Sequence, residues 1–111
     1  MPSRDWQLRI DDILEAIDKI ERYTKGMDYA AWLEDEKTVD AVVRNIEIIG
    51  EASSHLPDDI LERYGDIPWP FLRGIRNVLT HEYFGVDVEE VYQIICNDLP
   101  VLKQEILKIL N

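Results

Sequence analysis

The stretch Arg73-Gly74-Ile75-Arg76-Asn77-Val78-Leu79-Thr80-His81-Glu82-Tyr83-Phe84-Gly85 decides how this chain is read. At about 100° per residue on a helix, Phe71, Leu72, Ile75, Val78 and Leu79 share one arc, with Glu82 at its edge. Arg73, Arg76, Asn77, Thr80, His81, Tyr83 and Phe84 occupy the opposite arc. An amphipathic helix needs one apolar and one polar side. Here the polar side gathers two guanidiniums, an amide, a hydroxyl, an imidazole and a phenol, with no carboxylate among them.

That absence is notable against the rest of the chain. Its 111 residues carry 12 basic and 23 acidic side chains, a formal net charge of −11. Residues 27–66 alone hold three basic and eleven acidic groups, whereas residues 67–86 hold Arg73 and Arg76 against Glu82. Such a balance argues against a protein that coats nucleic acid, and leaves room for one local anion site. At 46% hydrophobic residues the chain has enough material for one core, so a single domain over residues 1–111 is expected. The longest apolar runs are too short to span a membrane, and the N-terminus lacks a signal-peptide segment, so a cytoplasmic protein with no membrane contact is expected. The one cysteine, Cys96, sits in an apolar run and reads as a core thiol.

Outward from the motif, every periodic segment is helical. Trp6, Ile10, Ile13, Leu14, Ile17 and Ile20 form a stripe at helical spacing over residues 3–25, with Ser3 placed to cap it and Gly26 to stop it. Asp28 suits the cap of a short helix through Trp32 and Leu33. A third helix is expected from Glu36 to His55, with Val39, Val42, Val43, Ile46 and Ile49 inward, and His55 favourably placed at its C-terminal end. Gly50, Ala52, Ser53 and Ser54 allow another helix to come close. After the break at Pro57, residues 58–64 make about two turns. Pro70 fits the first turn of the motif helix, which ends at Gly85. Asp87 with Glu90 resembles a capping box before a last helix marked by Val91, Ile94, Ile95, Leu99, Leu102, Ile106 and Leu110. Pro100 should kink or split that helix. The expected fold is all-α, an up-and-down four-helix bundle with short extra helices.

The spacing within the motif bears on chemistry. Asn77 and His81 are four residues apart and share a face, so the amide can fix the imidazole tautomer. Arg76 and His81 are five apart, separated by about 140° and roughly 7.5 Å of rise, and do not aim at one spot. A two-fold dimer resolves the mismatch by bringing Arg76 of one protomer to His81 of its partner. A cleft with two arginines and two histidines suits metal-free RNA cleavage by acid–base catalysis, with no metal ligands required. Among the carboxylates no cluster has metal-ligand spacing.

The same residues resemble the signature of HepT-like toxins of the HEPN superfamily: an arginine, a polar residue, three residues, a histidine, any residue and a tyrosine. Arg76-Asn77-Val78-Leu79-Thr80-His81-Glu82-Tyr83 matches it without departure. Arg44-Asn45 with Gly50-Glu51-Ala52, then Ile67-Pro68-Trp69, then Asp98-Leu99-Pro100, resemble further family landmarks in order. The resemblance implies a HEPN-like, homodimeric, metal-independent ribonuclease toxin. In it Arg76 and His81 are the catalytic pair and Asn77 the polar residue beside the arginine; apart from the resemblance, Arg73 and Thr80 on the same polar face are candidates to bind phosphate. It also implies an antitoxin partner, a minimal nucleotidyltransferase of the MntA type. That partner, using ATP and Mg²⁺, adds AMP to Tyr83, and the chain itself needs no cofactor. The alternative reading is a non-catalytic helical partner that docks onto a nucleotidyltransferase.

Overall fold

The structure, a computed structural model, describes residues 2–75 and 87–110, with side chains from residue 6 onward. The described residues are all-helical, as the periodicity predicts. Among the described residues there are seven α-helices: α1 (Pro2–Thr24), α2 (Tyr29–Glu34), α3 (Glu36–Ser54), α4 (Asp58–Arg63), α5 (Trp69–Gly74), α6 (Val88–Gln93) and α7 (Leu99–Leu110). A π-helical turn, Ile94–Asp98, joins the last two.

Helices α1 and α3 form the most extensive pair. From α1, Ile10, Ile13, Ile17 and Ile20 are fully buried, and Val42, Ile46 and Ile49 of α3 are likewise removed from solvent. Burying each such side chain is worth about 1.5–3 kcal/mol against leaving it in water, so this seam dominates the core. Two polar groups enter it, both satisfied within their own helix. Asn45 Nδ2 donates to the Ala41 carbonyl at 2.9 Å, and Ser53 Oγ donates to the Ile49 carbonyl at 2.8 Å. Helix α5 packs on α3, and α7 lies on α1.

The helix ends follow from local chemistry. Gly26 takes φ +78°, the left-handed conformation that closes α1. Asp28 accepts from Ala31 N at 2.8 Å, Asp35 from Thr38 N at 3.0 Å, and Asp87 from Glu90 N at 3.1 Å, each an N-cap bond. Helix α1 begins at Pro2, so Ser3 falls in its first turn rather than ahead of it. His55 closes α3, its Nδ1 lying 2.8 Å from the Glu51 carbonyl.

Three expectations are corrected. Cys96 is exposed, not a core thiol. Pro100 has no N–H to offer the Cys96 carbonyl, and the chain answers with the π-helical turn, in which Leu99 N–H bonds to the Ile94 carbonyl. That bond stacks Ile94 over Leu99, both buried, and turns Cys96 outward. Phe71, placed by the wheel on the apolar arc, is 38% exposed, because α5 rests on its Trp69 and Leu72 and leaves Phe71 beside them. Leu110, expected on the inner stripe, is also exposed.

Candidate functional site

Arg76, Asn77, Thr80, His81 and Tyr83 lie outside the described residues, as does Gly85, the expected end of their helix. The structure does describe the platform leading into them. Ile67-Pro68-Trp69-Pro70 turns the chain into α5, with a proline in the first turn. Trp69 anchors that turn: its ring is buried, its Nε1 donates to the Tyr64 carbonyl at 3.1 Å, and its backbone N–H donates to the Ile67 carbonyl at 2.8 Å. Leu72 and Ile75 are buried here, so these two members of the apolar arc face inward while Phe71 does not. The chain therefore enters the motif from a helix fixed against α3.

Arg73 stands exposed in the last turn of α5. Several other surface cations already lie against carboxylates: Lys19 with Glu15 at 3.3 Å, Arg22 with Asp18 at 3.3 Å, and Lys103 with Glu21 at 2.7 Å. Arg73 forms no such pair among the described residues. Among the described residues nothing lies within 4 Å of where a Cβ on Gly74 would stand. Glu51 and His55 sit together on α3, with Glu51 Oε1 3.7 Å from His55 Nδ1.

The titration shifts among the described groups have structural causes. The amide of Thr38 holds Asp35 below the ordinary carboxylate value, and the hydrogen bond that Lys103 donates to the Glu21 carboxylate raises Lys103. Desolvation, with the hydrogen bond to Cys96, raises the phenol of Tyr92. None of these groups belongs to the motif. Among the described residues no set of three or more His, Cys, Asp or Glu is gathered to hold a metal ion, and no helix is long and apolar enough to cross a membrane.

One surface escaped the reading of the sequence. Asp66, Pro68 and Phe71 on one side, and Asn97, Asp98, Val101, Leu102, Glu105 and Lys108 on the other, line a groove of about 650 Å³ beside α5. The available signal was Val101, an apolar residue off the Leu99–Leu102–Ile106 stripe and 62% exposed.

Comparison with known proteins supplies what the geometry does not. The model of a family described as HepT-like, Ribonuclease HepT-like, matches residues 13–109. The chain is 42% identical over 111 residues to "Putative RNase MJ1216" of Methanocaldococcus jannaschii, covering 100% of this chain and 92% of that protein. It is 41% identical over 100 residues to "Probable ribonuclease HepT" of Thermococcus cleftensis, covering 90% of this chain and 91% of that one. No solved structure matches the chain at a significant level.

Proposed function

We propose, starting from the fact that this chain belongs to the HepT-like ribonuclease family, that it is the RNA-cutting toxin of a toxin–antitoxin pair. One observation carries the reading. The match over residues 13–109 runs through Arg76-Asn77-Val78-Leu79-Thr80-His81-Glu82-Tyr83, where the arginine, histidine and tyrosine keep the spacing of the signature.

In this reading two copies pair so that the guanidinium of one protomer and the imidazole of its partner converge on one phosphodiester. The imidazole of one His81 takes the proton of a ribose 2′-OH. The freed 2′-oxygen bonds to phosphorus, the bond from phosphorus to the 5′-oxygen breaks, and the second imidazole protonates the departing oxygen. Arg76 stabilises the charge that builds on the phosphoryl oxygens, and Asn77 orients His81. The products are a 2′,3′-cyclic phosphate and a 5′-hydroxyl, and DNA is spared because it lacks the attacking group. No metal takes part. Arg73, exposed at the end of α5, and Thr80 hold neighbouring phosphates.

Control falls to a nucleotidyltransferase of the MntA type, which uses ATP and Mg²⁺. The Tyr83 phenolic oxygen bonds to the α-phosphorus of ATP, pyrophosphate leaves, and the phenolic proton passes to solvent. On a helix Tyr83 lies seven residues beyond Arg76 and about 20° from it, on one ridge. The added AMP places a competing phosphate within reach of Arg76 and a bulky base at the cleft mouth.

The test is cleavage of a structured RNA by the purified chain in EDTA. Wild type should cut, while His81→Ala and Arg76→Ala should each lose at least about 100-fold in rate. Treatment with the transferase, ATP and Mg²⁺ should silence the wild type and leave Tyr83→Phe active. If none of these proteins cuts, yet all bind the transferase, the chain is the docking partner and the nuclease reading fails.

A further inference from the structure

The groove between the Asp66–Phe71 segment and α7 points to a second function for this surface. We propose that it is a docking site for a cationic amphipathic helix of a partner protein. Its floor is apolar, formed by Pro68, Phe71, Val101 and Leu102, with Phe71 and Val101 left in water by the fold. Its rim carries Asp66, Asp98 and Glu105. Among the described lining residues the one cation, Lys108, is engaged with Glu105 at 3.2 Å.

An apolar floor is costly to leave wet, and a volume of about 650 Å³ is large enough to seat side chains rather than a few waters. Charge selects the occupant. Nucleic acid would bring phosphates against three carboxylates. A second copy of this chain, docking by two-fold symmetry, would set Asp66, Asp98 and Glu105 near their own duplicates. A helix with apolar residues at i, i+3 and i+4 flanked by Lys or Arg meets both requirements: its apolar stripe covers Phe71 and Val101, and its cations meet the rim.

This proposal does not depend on the nuclease reading, and its test is independent of RNA cleavage. A fluorescein-labelled 16-residue helix of Leu and Lys, with leucines on one face, is titrated into the full-length chain at 0.15 M salt and followed by anisotropy. The Leu/Glu peptide of identical leucine spacing serves as control. We expect the cationic peptide to bind and the acidic one not to. Val101→Lys and Asp98→Lys should each weaken binding at least tenfold, while Asp40→Lys, an exposed reversal on α3, should stay within twofold. Circular dichroism reports whether each variant remains folded, and Val101→Ser replaces any that does not. Equal losses in all three variants would reduce the effect to diffuse attraction by the −11 chain and overturn the proposal. Absence of binding would do the same, as would self-association abolished by Val101→Lys.

Discussion

At the scale of single residues, the fold depends on a few side chains that connect distant parts of the sequence. Trp32 is the clearest. Its ring is fully buried, it lies 6.2 Å from the Tyr92 ring, and its Nε1 donates to the Val88 carbonyl at 2.9 Å, tying α2 to the start of α6 across 56 residues. Trp32→Phe keeps most of the apolar area but strands that carbonyl, so urea unfolding should show a loss of about 2 kcal/mol. Trp32→Ala adds a cavity and should cost about 3–5 kcal/mol. Asp35 gives a prediction in pH. Its carboxylate accepts from the Thr38 amide, which lowers its pKa below the ordinary 3.8. A lowered folded value means the stabilisation is fully present above the unfolded pKa and is lost as pH falls through the folded one. Asp35→Asn keeps an acceptor that does not titrate. Its melting temperature should therefore fall less steeply than that of wild type once the pH drops below about 4.

At the scale of elements, the sequence was most legible where period and cap agreed. The isoleucine stripe of α1, the aspartate caps of α2 and α6, and the glycine stop after α1 all rest on interactions within a few residues, which a single sequence displays directly. The last helix was less legible. Pro100 announced a disturbance, but not whether the chain would kink, split or insert a residue, since that depends on which register lets both halves reach the core. The π-helical turn settles it by stacking Ile94 on Leu99, which a regular α-helix would separate by about 140°. Ile95 is left half-buried and Cys96 exposed. Ile94→Ala should therefore destabilise by about 2–5 kcal/mol and Ile95→Ala by clearly less, whereas an uninterrupted helix would reverse that order. Paired denaturation curves of the two variants decide between them. Phe71 and Val101 were illegible for a related reason: the wheel tells which arc is apolar, not how wide an arc the neighbouring helices cover. The candidate site was legible only as chemistry, because Arg76, Asn77 and His81 declare residue types and spacing, while the convergence we propose for them involves a second chain that one sequence does not display.

For the whole molecule the governing quantity is charge, and here the proposed substrate and the composition pull against each other. A net charge of −11 repels RNA at long range, so affinity has to come from a small number of local contacts rather than from a basic surface. The cations available near the motif are Arg73 and Arg76, hence four guanidiniums in the proposed dimer. Each phosphate neutralised on a single strand contributes about −0.7 to the slope of log affinity against log salt. The slope for this protein should thus be no steeper than about −3, shallow for an RNA-binding protein. Arg73→Ala removes two of the four cations and should lower the slope by about 1.4 without altering the cleavage product. Fluorescence binding of a short single-stranded RNA to the non-cutting His81→Ala variant, between 50 and 300 mM KCl, measures both values. A slope near −6 would require basic contacts that the 67–86 region does not contain, and would move the RNA-binding surface away from the motif.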